Sequence, residues 1–94
     1  MDIMNYIERV IAELRQLLPD LSGDFLGVYA LLVLVKGPET TLVDVHDAWS
    51  LVRTATRPDH KSLVPFRELP LEVQVLDTEY RDAIRTVARE GKWM

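Results

Sequence analysis

The only histidines of this chain are His46 and His60, and with no cysteine it has no thiolate chemistry. His46-Asp47 has the composition of a metal or proton-transfer fragment. Neighbouring helix residues point about 100° apart, however, and cannot jointly hold one ion. There is no glycine-rich phosphate loop and no Gly-x-Ser-x-Gly turn. The residues therefore predict a binding protein and not an enzyme, with no metal and no cofactor.

Trp49 is the more informative residue. At helical spacing, His46, Trp49 and Arg53 share one face through i+3 and i+7 steps. An indole between two hydrogen-bond donors, with Arg57, His60 and Lys61 in the adjoining loop, is the equipment that holds a flat ring and an anionic group. The competing reading has Trp49 fill the core, with His46 and Arg53 flanking it. Charge adds to the first reading. Residues 1–51 balance to −5, residues 52–67 to +3 and residues 68–94 to −2, for a net charge of −4. Duplex nucleic acid demands an extended positive face, which this distribution lacks. One local basic segment suits a small anionic partner.

These side chains must be positioned by 94 residues, enough for a single domain and one core. Apolar residues make up 48% and charged residues 28%, a globular and not a disordered composition. The absence of cysteine fits a reducing compartment, and Asp2 stands where a secretory signal carries basic residues. The expected location is the cytoplasm. The uncharged run from Phe25 to Val35 is shorter than the roughly 20 residues of a membrane span, so no membrane partner is expected.

Residues 2–18 read as an amphipathic helix capped by Asp2, with Ile3, Ile7, Val10, Leu14 and Leu17 on one stripe. Pro19 and Ser22-Gly23-Asp24 end it. Asp24 is placed to cap a second helix that is apolar all round and stops at Gly37-Pro38. A third helix starts at Thr41, where Thr-Leu-Val-Asp forms a capping box, and fades near Thr56; its stripe is Leu42, Val45, Trp49 and Val52. Arg57 to Ser62 is a polar loop, and Leu63-Val64-Pro65-Phe66 a short extended segment. That segment reads as a core plug, with Pro65 and Phe66 also placed to rim a pocket beside Trp49. Pro70 opens a last helix to about Glu90, with Leu69, Val73, Leu76, Tyr80, Ile84 and Val87 inward. A two-stranded ribbon around residues 53–66 is the one alternative to an all-α fold of four helices.

The seven-residue repeat of helix 1 and the apolar surplus of helix 2 (residues 1–38 form this helical pair) suit either an internal core or a seam. They predict a homodimer through helices 1 and 2, and a protein–protein interaction or assembly module is the second functional reading. The charges of the last helix, from Glu72 to Arg89, read as a solvated face. Trp93 in the tail either docks on the fold or anchors a partner.

Val45-His46-Asp47-Ala48-Trp49, Arg53, the run His60-Lys61-Ser62-Leu63-Val64-Pro65-Phe66-Arg67-Glu68-Leu69-Pro70, and Asp77 together resemble the ryanodine-receptor (RyR) repeat domain. The likeness covers residues 41–90, with six residues between Arg53 and His60 where the family carries a longer hairpin. The whole chain is also similar to small proteins of actinobacterial phages. The resemblance implies a non-enzymatic module for nucleotide-like ligands, acting on host signalling in the host cytoplasm if phage-encoded. It also implies ligand-binding roles for His46, Trp49, Arg53, Arg57, His60, Lys61 and Arg67.

Overall fold

Asn5 starts the first helix. Its side chain accepts from the Glu8 N–H at 2.8 Å while the Glu8 carboxylate accepts from the Asn5 N–H at 3.0 Å. This reciprocal cap stabilises α1 (Tyr6–Leu17) by about 0.5–2 kcal/mol. The computed structural model describes residues 4–91 and Trp93. The Asp2 cap and the Ile3 contact expected from sequence lie outside the described residues, and the described helix begins later, at the Asn5 cap. Of the predicted stripe, Val10 and Leu14 are buried, joined by Leu18, while Ile7 and Leu17 stay exposed.

α2 (Gly23–Val35) follows Ser22, whose side chain makes no cap bond. Asp24, expected as the cap, sits instead at the second position of the first turn, where its charge favours the positive end of the helix dipole. Phe25, Leu26, Tyr29, Ala30 and Val33 bury one broad face. α2 packs against α1, α3 (Leu42–Thr56) and α5 (Thr78–Glu90), which makes it the centre of the bundle. Gly37 ends its reach: φ of 60° there is a conformation that glycine adopts without a Cβ penalty.

The predicted capping box of α3 is present, with Thr41 Oγ1 accepting from Asp44 N–H and Asp44 Oδ2 accepting from Thr41 N–H. Burial opposes ionisation of Asp44, but these hydrogen bonds and Lys36 at 3.5 Å hold its carboxyl below the ordinary range. Buried Thr40 locks the α2–α3 corner. Its hydroxyl donates to Gly37 O at 2.8 Å, and its carbonyl accepts from Arg85 Nε at 2.7 Å. Arg85 is therefore a tie between α5 and this corner and not part of a solvated face.

Residues 57–65 form successive turns, with His60 N–H donating to Arg57 O and Leu63 N–H to His60 O. The ribbon alternative does not form, and the described residues contain no strand: the fold is all-α. The last predicted helix is interrupted. α4 (Leu71–Gln74) passes into a 3₁₀ turn at Val75–Asp77 before α5 continues to Glu90. The tighter turn changes the facing of successive residues. Leu76, expected inside, is 65% exposed, while Leu69, Ile84 and Val87 are buried as expected. Trp93 docks on the fold, its Nε1–H donating to Val87 O at 3.2 Å. A Cβ on Gly91 would overlap that indole. No helix among the described residues is long and apolar enough to cross a membrane.

Candidate functional site

The helical spacing of His46, Trp49 and Arg53 does bring them to one face of α3, and that face walls a cleft of about 330 Å³. Leu21, Phe25 and Tyr29 supply the opposite wall from the start of α2. Val73, Leu76, Asp77 and Tyr80 close it from the interrupted last helix, and His60 and Ser62 from the loop.

His46 is 3% exposed, and its role is set by one bond: Nε2 lies 2.7 Å from Val64 O. A carbonyl can only accept, so Nε2 carries the proton and donates. Ser50 Oγ, 3.4 Å from the same nitrogen, is left to accept. The Leu63–Phe66 segment is thus anchored to α3 by its backbone and by Phe66, whose ring centroid lies 6.0 Å from that of His46. It is half-buried with Pro65 exposed, and it turns into a 3₁₀ turn at Phe66–Glu68 instead of the extended core plug expected. Gln74 Nε2 donates to Phe66 O and Leu69 O, which stitches α4 to the same segment.

Trp49 is half-buried and satisfies both sequence readings at once, packing against the core while lining the cleft. His46 stacks on it at 5.6 Å and 20°, and His60 meets it edge-on at 5.1 Å and 82°. The Ser62 N–H donates to His60 Nδ1 at 3.0 Å, so that nitrogen holds a lone pair and the ring proton sits on Nε2. Arg53 lies over the rings of Phe25 (5.0 Å) and Trp49 (5.8 Å). Among the described residues no carboxylate lies within ion-pair distance of it, and its buried Nε has no hydrogen-bond partner. Two π faces, and a long donation from Arg53 Nη1 to Thr56 Oγ1 at 3.4 Å, hold the guanidinium in place.

The other predicted cations do not join it. Arg57 pairs with Asp59 at 3.8 Å on the surface, and Lys61 and Arg67 are exposed outside the cleft. The +3 segment therefore disperses, and Arg53 alone carries positive charge into the site among its lysines and arginines.

Two polar residues of the cleft were not singled out for binding by their sequence positions. Tyr29 is fully buried, yet its hydroxyl has no partner. Burial first, then the proximity of Asp77 and Tyr80, pushes its phenol far up, so the group remains an O–H. Burial also pushes the Asp77 carboxyl up, and the nearby His46 imidazole pulls it partly back. Tyr29 sits in an apolar helix and Asp77 in a charged one, so composition marks neither. The only available signal was the hydroxyl itself, on the face of α2 that must be buried. Among the described residues no group of three metal-ligating side chains comes together.

The model of a family described as "Domain of unknown function (DUF7701)" matches residues 5–89. This corrects the resemblance to the RyR repeat and to phage proteins: the matching family spans helices 1 and 2 as well as the C-terminal half, and no RyR model matches. The six residues between Arg53 and His60, the first three of them the end of α3, stand in place of the RyR hairpin and agree with the correction. No curated protein and no solved structure matches the chain.

Proposed function

The chain belongs to the DUF7701 family, and for this domain of unknown function we propose binding of a small anionic ligand in the α2–α3 cleft, without catalysis. The observation that carries the reading is Arg53, a half-buried guanidinium held by two aromatic rings with no carboxylate beside it. A charge kept partly out of water without a counter-ion is poorly stabilised, and a ligand carboxylate or phosphate would complete it. His60 Nε2–H is a second donor on the same side of Trp49. Most of the remaining lining is apolar or aromatic, with His46, Ser62 and Asp77 as the polar exceptions, which suits an organic body and not a bare inorganic ion. The non-enzymatic part of the reading is supported by the histidines. His46 Nε2 is committed to Val64 O and His60 Nδ1 to Ser62 N–H, so each ring is used to build the site.

Thermal-shift measurements with phenyl phosphate, benzoate and nucleoside monophosphates at millimolar concentration test this, because a ligand of the native state raises Tm by mass action. The expected outcome is a rise that Arg53→Ala abolishes and Arg57→Ala leaves intact. No rise with any probe, or equal losses in the two variants, overturns the reading.

A second reading, assembly of two copies through α1 and α2, rests on Leu31 and Val35, 56% and 64% exposed and one turn apart on α2. Most of the other apolar residues of α2 are covered within the chain, which leaves a narrow stripe for a partner. Sedimentation of the intact chain beside Leu31→Glu tests it. A dimer that the substitution splits supports this reading, and a monomer in both removes it.

A further inference from the structure

Besides Arg53, the same cleft holds an unfilled pair of hydrogen-bonding groups. Tyr29 O–H is a donor with no acceptor, on a residue that is fully buried and lines the cleft floor. Asp77 lies close enough to act on it electrostatically, yet the two share no hydrogen bond. Tyr29 is placed by α2 and Asp77 by the 3₁₀ interruption, so two rigid elements set their separation. A buried hydroxyl left unpaired in this way costs about 1–3 kcal/mol, and such orphans in native folds call for a partner.

From this pair we infer that the ligand carries a flat heterocycle whose edge presents an acceptor to Tyr29 and an adjacent donor to Asp77, as a nucleobase does. The inference rests on the anion site proposed above. A nucleotide carries both features in one molecule, a ring edge for Tyr29 and Asp77 and a charge for Arg53 and His60, all of which line this cleft. The cleft lies near the small end of the usual range of ~300–1,000 Å³, which suits one base and one phosphate and not a dinucleotide. The ring would lie between the aromatic side chains of Trp49 and Tyr80 and the apolar Val73 and Leu76. Leu76, largely exposed on the short 3₁₀ turn, is the wall that yields to let the edge reach the buried hydroxyl.

Isothermal titration of the full chain with the adenosine, guanosine, cytidine and uridine 5′-monophosphates, beside phenyl phosphate, separates this inference from the one beneath it. Tyr29→Phe removes only the unpaired oxygen, so the variant folds. It should weaken the best nucleotide about tenfold and leave phenyl phosphate unchanged. Asp77→Asn, which replaces an acceptor with a donor and an acceptor, should alter the order of preference among the bases. If both variants leave nucleotide affinity unaltered while Arg53→Ala abolishes it, the edge reading is wrong and the anion site stands. If phenyl phosphate binds as tightly as every nucleotide in the native chain, the edge reading also fails. If nothing binds the native chain, both fail together.

Discussion

The two flanks of α2 are built on opposite terms. Leu26, Ala30 and Val33 share one apolar cluster with Val10, Leu14, Val45, Ile84 and Val87, and Phe25 and Tyr29 belong to that cluster as well as to the cleft. Toward α3, Phe25 and Tyr29 meet Arg53, Trp49, His46 and Asp77, and here a hydroxyl and a guanidinium nitrogen are buried without partners. One helix, thirteen residues long, thus serves a satisfied interface and an unsatisfied one. The apolar flank supplies stability by removing surface from water. The polar flank gives part of it back, and that loss is intelligible where a ligand supplies the missing atoms.

The contrast is sharpest in large-to-small substitutions. Leu26→Ala or Ile84→Ala should lower unfolding free energy by about 2–5 kcal/mol in urea titrations, since each side chain is fully buried in the cluster. Leu76→Ala, at the cleft mouth, should stay under about 1 kcal/mol, within the range of an exposed residue. Equal losses at Leu26 and Leu76 would break the division between a structural and a binding flank.

Changes that raise stability are more telling. Tyr29→Phe is expected to gain about 1 kcal/mol in the ligand-free chain, because it deletes an oxygen that pays desolvation without a bond. A loss of stability there would show that the hydroxyl already has a partner. Thr41→Ala, far from the cleft, should lose about 1 kcal/mol through the α3 cap.

The two aspartates give opposite pH responses. Asp44, held below the ordinary value of 3.8, contributes stability that is present above that value and lost as pH falls through its folded-state pKa. Asp77, pushed above 3.8, favours the fold most below that value, and this contribution is lost as pH rises through its folded-state pKa. Stability measured from pH 3 to 7 should therefore rise more steeply in Asp77→Asn than in the native chain. A profile unchanged by Asp77→Asn would remove the charge cost assigned to the cleft. The smallest effect is expected at Arg57→Ala, within about 0.5 kcal/mol, since its ion pair with Asp59 is solvent-exposed.

Much of the architecture is legible without coordinates because its signals are local. The Thr41–Asp44 box, the Gly37-Pro38 stop and the 3.6-residue spacing of His46, Trp49 and Arg53 each act within a few residues, and each is present in the fold. Cap residues were harder. Asn5 and Ser22 stand at the helix starts where Asp2 and Asp24 were expected, because competing polar residues lie within one turn of each other. The inward expectation for Leu76 failed for a different reason: periodicity assumes an unbroken helix, and a 3₁₀ turn resets the phase.

By itself, the sequence determined an all-α chain and an α3 face that carries His46, Trp49 and Arg53 together. Only the tertiary structure decided which charges reach that face. Arg57 and Lys61 lie in the turns after α3 and Arg67 in a single 3₁₀ turn at Phe66–Glu68, where helical spacing carries no direction, and they turn outward. Tyr29 and Asp77, 48 residues apart in number, line one cleft because α2 and the interrupted last helix both pack against α3. Periodicity reports which side of an element is buried; which buried sides face one another is a property of the packing alone.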